Sequence, residues 1–450
     1  MTTSALSSLR SCGQPINDTP LPPFCRVLLR TSLLLALAPA AAAQVAPAAV
    51  RTVPSPGFQL PTFGGSLSYA LSASQSVSTG FYNQGGAAVS TNVSGDLAYL
   101  SSSVNHPFSA IYSGAVLAGD ANQQTEVVQN LALSQVFNTR FWGFTFTDAV
   151  SYLPLSPSTG LAGIPGLGDL GVPPVVTGPV TGQGALTGYA PRVSNSSTVS
   201  VSRRISGKTS LEGTGSFVLQ RFTDDQPGLI DSNQAAGSLG INHVLGARSS
   251  VSANYTMSKI TYNPDLFDSA FNLQSVSFGY TRQFSRSFSL NAQLGPQWIK
   301  TSAGGSPHTT LDLATDTILE YRNRQTTATL GYVRGANSGF GVIPGGFSDS
   351  VNGSARRTFF RIWNIAATVN YTRTSDPAAL ELPHFSVGTL VAGVQGSRAL
   401  TRTMSAYASY NAQHQSTSGA ADTSGAFRGL YQVVSFGVTY SPRTISFRPQ

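Results

Sequence analysis

The sequence predicts an all-β fold, a single transmembrane antiparallel β-barrel of about 18 strands, with 16 the next candidate. Three observations carry that prediction. Charge is scarce, apolar and polar residues alternate with a period of two, and the connections between alternating segments are short and long in turn.

Only 10% of the 450 residues are charged, where soluble domains carry about a quarter. Gly numbers 45, Ser and Thr fill much of the remainder, and no long run of Ala, Leu, Glu and Lys favours a helix. Such a composition suits strands with one face against lipid and the other against water. Beyond residue 43 no stretch holds the ~18 consecutive apolar residues that a membrane helix needs. The formal net charge of +8 is modest for the length, and no basic and aromatic stripe follows a helix. Nucleic-acid binding is excluded on that ground.

The first 43 residues read as a secretion leader. Arg26 and Arg30 precede the apolar stretch Leu33 to Ala38, and Ala41, Ala42 and Ala43 offer a small-residue cleavage site. Cys12 and Cys25 fall within that leader, so the mature chain would hold no thiol and no disulfide. Residues 44–63, with Pro47, Pro54, Pro56 and Pro61, read as a periplasmic tail.

Alternation marks the strands. Trp363, Ile365, Ala367, Val369 and Tyr371 form an apolar face against polar Asn364, Thr368, Asn370 and Thr372. Leu290, Ala292 and Leu294 against Ser289, Asn291 and Gln293 repeat it, as do Val251, Ala253 and Tyr255 against Ser252, Asn254 and Thr256. A helix would not sort residues in this way. Strands are expected near 64–76, 87–102, 107–119, 124–138, 140–153, 189–206, 208–222, 234–246, 248–262, 271–285, 286–300, 308–321, 322–334, 347–358, 360–374, 384–399, 401–414 and 427–441. Residues 442–450 are left as a second periplasmic tail.

Short turns centre on pairs such as Asn138 and Thr139, Gly207 and Lys208, and Arg322 and Asn323; the intervening connections, including Thr301 to Pro307 and Gly335 to Gly346, are longer and rich in Gly, Pro, Asp and Ser. Turns inside and loops outside is the layout of a bacterial membrane barrel. A β-propeller would instead repeat with a blade period of about 40 to 50 residues, and no such repeat is present. Basic residues gather at the short turns, among them Arg203, Arg204, Arg286, Arg356, Arg357 and Arg398, whereas acids such as Asp224, Asp265, Asp376 and Asp422 lie at the other end. Basic turns suit anionic headgroups, although the need for soluble turns accounts for them equally.

The last long strand, Gly429 to Tyr440, resembles the C-terminal assembly signal of outer-membrane barrels, with Ser435, Gly437 and Tyr440 matching; Pro442 stands where a second aromatic is expected, and the chain continues ten residues beyond Tyr440. With the hairpins, this resembles the large porin-like β-barrels of Gram-negative bacteria. The resemblance implies the cell outer membrane, its lipids and its assembly machinery as surroundings, and less firmly implies transport. Porins fold their third external loop inwards. Here that position falls to Pro154 to Gly188, whose single charge is Asp169, and an inward fold, a lid and an outside position are all open to it.

Catalytic constellations are scarce. Gly166, Gly168 and Gly171 spell a dinucleotide-type motif, but it lies in a loop that ends in Pro173 and Pro174, without the strand and helix that the chemistry needs. His106, His243, His308, His384 and His414 show no metal-ligand spacing. His243, beside Leu239 and Ile241 by parity, is expected to face lipid, away from any acyl-hydrolase partnership.

Charge directed inwards is the stronger lead. Leu311, Leu313, Leu319 and Tyr321 would face out, so Asp312, Asp316 and Glu320 would form an inward acidic stripe; by the same parity Asp96, Glu126 and Glu212 would line the lumen. Carboxylates in a hydrated channel favour cationic solutes, while pairing with Arg204 or Arg356 would make them wall stiffeners instead. Outward Tyr255, Tyr280, Trp298, Tyr332, Trp363, Tyr371, Tyr410 and Tyr440 are candidate girdle aromatics. The expectation is a porin-like channel for small hydrophilic solutes, with no catalytic residue, no cofactor and no metal. A barrel that only anchors surface loops, in polysaccharide export or attachment, is the alternative. The apolar exterior would suit lipid or a second copy, so a homo-oligomer fits as well.

Overall fold

The computed structural model describes residues 64–80, 87–119, 125–153, 191–223, 231–262, 270–303, 306–339, 344–360, 362–375, 385–419 and 428–447. The expected leader 1–43, the tail 44–63 and the connection 154–188 lie outside them.

The strands are β1 (Gly65–Thr79), β2 (Ala87–Ser101), β3 (Phe108–Gly119), β4 (Glu126–Asn138), β5 (Trp142–Leu153) and β6 (Arg192–Arg204). They continue with β7 (Thr209–Phe222), β8 (Ser232–Gly246), β9 (Ser249–Tyr262), β10 (Ala270–Ser285), β11 (Phe288–Ala303) and β12 (Ser306–Arg322). The remainder are β13 (Thr326–Gly339), β14 (Pro344–Phe359), β15 (Trp363–Ser375), β16 (Phe385–Ala399), β17 (Met404–Gly419), β18 (Gly429–Tyr440) and the short β19 (Ile445–Phe447). Each long strand pairs antiparallel with its sequence neighbours, and β18 returns to pair with β1 from Leu71↔Tyr440 to Thr79↔Gln432. The result is a closed 18-stranded barrel. Closure pairs every long strand on both sides through the middle of the wall, which is the condition for a sheet to cross a bilayer.

The long strands run from 12 residues in β3 to 17 in β12, above the ~9–11 that a tilted strand needs to span the hydrocarbon. Side-chain parity stays in phase along the ladders and across the closing seam, apart from one-residue shifts beside the β8–β9 and β10–β11 turns. One face carries Leu71, Val93, Leu131, Phe217, Leu239, Met257, Phe278 and Leu311, all exposed. The other carries Ser72, Ser74, Asn92, Thr198, Gln234, Gln413 and Ser435, all buried. Side chains on the concave face of a cylinder converge and those on the convex face diverge, so the polar set is internal and the apolar set external. The expected girdle aromatics, from Tyr255 on β9 to Tyr440 on β18, stand on the external face.

Two details depart from the sequence expectation, and a third residue stands out within an expected turn. Ile445–Phe447, expected within a tail, pair with Gly65–Leu67, because β18 stops opposite Leu71 and leaves the lower edge of β1 open. The connections expected at 301–307 and 335–346 are shorter, since the ladders continue through Ser302↔Pro307 and Gly339↔Pro344. Pro is tolerated there as an early strand residue. Phe360 takes a left-handed backbone (φ 50°) in the short turn after β14, with its ring 87% exposed.

At the short-turn end the exterior carries five Arg side chains stacked on rings: Arg140 over Phe141, Arg203 over Trp142, Arg282 over Phe284, Arg357 over Phe359 and Arg398 over Trp363, at 4.8–5.4 Å from the ring centres. Aromatic bodies at the hydrocarbon boundary with cations at headgroup level suit the edge of a membrane.

Candidate functional site

The internal face is the candidate site. Its hydroxyls and amides bridge neighbouring strands as rungs: Ser72 to Thr439 at 2.9 Å, Ser76 to Ser90 at 2.7 Å, Ser151 to Ser194 at 2.6 Å and Thr329 to Ser354 at 2.7 Å. At three inward glycines an Asn on the neighbouring strand folds over the backbone: Asn254 on Gly240, Asn352 on Gly331 and Asn411 on Gly393. Any side chain at those glycines would displace the amide. The pairing keeps the wall polar and thin, which a hydrated interior requires.

Asp96 lies inward on β2, buried opposite Ala70 and Ser113. Glu126 begins β4 opposite Leu117, and Glu212 sits on β7 opposite Ser202 and Gly240. Asp312, Asp316 and Glu320 share the internal face of β12 with neighbours Gln297, Gln293 and Ser289 on β11. At four-residue spacing they stand ~13 Å apart along the strand. β12 lies far around the wall from β2 and β4, so the six carboxylates form no single cluster.

The stripe on β12 is only partly free. Glu320 is bonded to Arg322 at 2.5 Å, and Asp312 takes Arg334 at 2.9 Å. Asp316 enters no ion pair among the described residues. Arg204 and Arg356, the partners expected from sequence, form none of the ion pairs found there; the partners are Arg322 and Arg334. His243 faces outwards near the 247–248 turn, with Nδ1 2.9 Å from the Thr209 hydroxyl. Among the described residues no three His, Cys, Asp or Glu side chains gather to hold a metal.

Arg334 exposes a feature that sequence parity missed. The ladder between β12 and β13 runs from Arg322↔Thr327 to Thr315↔Arg334 and stops, while β13 and β14 stay paired to Gly339↔Pro344. Beyond that point the hairpin leaves the wall. Arg334 and Ala336 belong by parity to the external face of β13, yet Arg334 bonds inward Asp312 and the Ala336 N–H donates to inward Gln297 at 3.2 Å. Ala336 and Phe347 pack against Ile260, Tyr262, Phe271, Leu273 and Ile299, the inward residues at the upper ends of β9, β10 and β11. External residues can meet the internal face of adjacent strands in only one way. The described upper part of the hairpin leans inwards, with its outer face against the inner wall at the upper ends of β9, β10 and β11. The signal available in sequence was the clustering of five large apolar residues at the upper ends of three consecutive strands, on a face that carries many Ser, Thr, Asn and Gln side chains.

Closed ladder, apolar exterior and polar interior define an outer-membrane-type β-barrel. No family model and no curated protein matches the chain. Among solved structures it is similar to OpdQ of Pseudomonas aeruginosa, at 11% identity and TM-score 0.42 over 85% of this chain and 99% of that one. It is similar to the outer membrane protein opdK of the same organism at 9% identity and TM-score 0.43, over 85% and 99%. The FrpB iron transporter of Neisseria meningitidis gives 6% identity and TM-score 0.43, over 85% and 82%. At such values the likeness carries no argument about solutes or mechanism.

Proposed function

We propose that the protein is a passive outer-membrane channel for small hydrophilic solutes. The observation that carries this is the division of the wall into an apolar external face and an internal face on which hydroxyl and amide side chains, among them Ser72, Asn92, Thr198, Gln234, Gln413 and Ser435, predominate, which suits a water-filled interior and has no use in a lipid-facing one. Inward Arg192, Arg204 and Arg356 share that interior with Glu126 and Glu212, so a preference for cations is expected to arise locally at Asp316 rather than from the whole interior. The infolded hairpin makes passage narrower than 18 strands alone would allow, which fits small solutes. Liposomes holding the folded protein should swell in isotonic sugars, at a rate that falls with sugar size. Absence of swelling from protein shown to be folded and inserted would favour the alternative, in which the barrel anchors surface loops.

A further inference from the structure

The two sides of the split seam are unequal in a way that makes the hairpin a two-position element. On its outer side Arg334 is a clamp: Nη2 donates to Asp312 Oδ1 and Oδ2 at 3.1 and 2.9 Å, and Nη1 to Asp349 Oδ1 and Oδ2 at 3.1 and 3.2 Å. Asp312 belongs to the fixed wall and Asp349 to the hairpin, so one guanidinium ties the two together. Tyr332 adds a bond to Asp349 at 2.9 Å. Below the clamp the barrel ladder is intact; above it, the edge of β12 from Ala314 towards Ser306 has no strand partner on that side among the described residues. The Leu313 N–H on that stretch is taken by the carboxylate of Asp312, at 2.8 Å. Continuing the existing register past Thr315↔Arg334 would set Ala314 opposite Gly335 and Leu313 opposite Ala336. An unused strand edge therefore lies where the hairpin would dock if it swung out.

We infer that the β13–β14 hairpin is a gate, held in the lumen by the Asp312–Arg334–Asp349 clamp and its apolar seat, and able to zip onto β12 to widen the passage. The infolded position covers Ile260, Phe271 and Ile299, which are 1–3% exposed; the zipped position completes a ladder and returns Ala336 to the external face. Two packings of one element, each satisfying groups that the other leaves open, are what a switch requires. The clamp residues are part-exposed, so the bias they add is small enough to be reversible. The gating role rests on the channel reading above, whereas the two positions of the hairpin do not.

The test pairs Leu313→Cys with Ala336→Cys, and compares Arg334, R334Q and R334K backgrounds in the full, bilayer-inserted protein. Mass spectrometry of the linked peptide separates a 313–336 disulfide from anything formed by Cys12 or Cys25. Oxidation should form that disulfide about fivefold faster with R334Q than with Arg334, as expected for loss of an exposed charge network, with R334K between them. In planar bilayers the oxidised pair should hold a larger conductance step, and reduction should restore the smaller one. Disulfide formation that is absent, or equally fast in all three backgrounds, would overturn the two-position hairpin. Disulfide formation that follows the clamp in a barrel passing no current would keep the hairpin's motion and overturn its role as a gate, together with the channel reading itself.

Discussion

Ser72 and Thr439 share a 2.9 Å hydrogen bond across the seam where the last long strand returns to the first. One rung further along the same seam Ser74 faces Gly437, and a Cβ on that glycine would meet the Ala73 carbonyl, the Ser74 Cβ and the Tyr407 hydroxyl at 2.5–2.7 Å. The close approach is made by backbone as well as side chain, so it cannot relax freely. Gly437→Ala should cost about 1–3 kcal/mol through overpacking, read as a lower urea midpoint in lipid vesicles. Gly437→Leu should abolish the folded, heat-resistant form. An unchanged midpoint for both would mean that this seam does not hold the barrel closed.

Asp148 is the odd residue on the exterior. It lies on the outward face of β5, where Ser197 donates to Oδ1 at 2.6 Å and Asn195 at 3.0 Å. For a rise of ~3.4 Å per residue and a tilt of ~40°, it sits roughly 15 Å above Trp142, within an apolar band ~25 Å tall. Asp148→Leu should stabilise the inserted barrel by about 1–2 kcal/mol, since Ser197 can still donate to Asn195, 3.3 Å away. A large loss of stability instead would show that this face meets a protein neighbour.

The stacked arginines at the short-turn end should act on anionic lipid. Replacing Arg203, Arg357 and Arg398 with Gln should weaken vesicle association by about 1 kcal/mol per charge at low salt. The effect should vanish on vesicles of zwitterionic lipid alone. Equal loss on both surfaces would assign these residues to folding rather than to headgroup attraction.

The carboxylates of β12 should not be equivalent. Asp316→Asn should lower cation-over-anion permeability directly, because no cation neutralises it among the described residues. Asp312→Asn should act chiefly through the clamp, altering step size and noise more than selectivity, since Arg334 already offsets that charge. Reversal-potential measurements in a salt gradient separate the two; matching selectivity losses for both would contradict the pairing.

Period-two alternation made the barrel legible because one pleat faces lipid and the next faces water, a constraint that repeats in every strand. Trp363 to Tyr371 and Val251 to Tyr255 were readable for that reason. Parity also placed Asp316 and Glu212 on the inner wall, but it assumes that each strand stays in the wall along its whole length. It fails above Arg334, where an outward residue by count meets Asp312 and Gln297 inside. The information lay in tertiary packing, in five apolar residues spread over three strands whose burial only the fold brings together. The pairing of Ile445 with Leu67 was equally hidden, since nothing local in the last residues announces an open edge more than 370 positions earlier.

The most direct test of an open channel is single-channel conductance of the purified, folded protein in a planar bilayer. The channel reading predicts stable steps that grow with salt concentration and favour cations, with a selectivity that weakens in Asp316→Asn. Folded, inserted protein that passes no current under any salt would contradict it, and would leave a closed barrel whose interior serves stability alone.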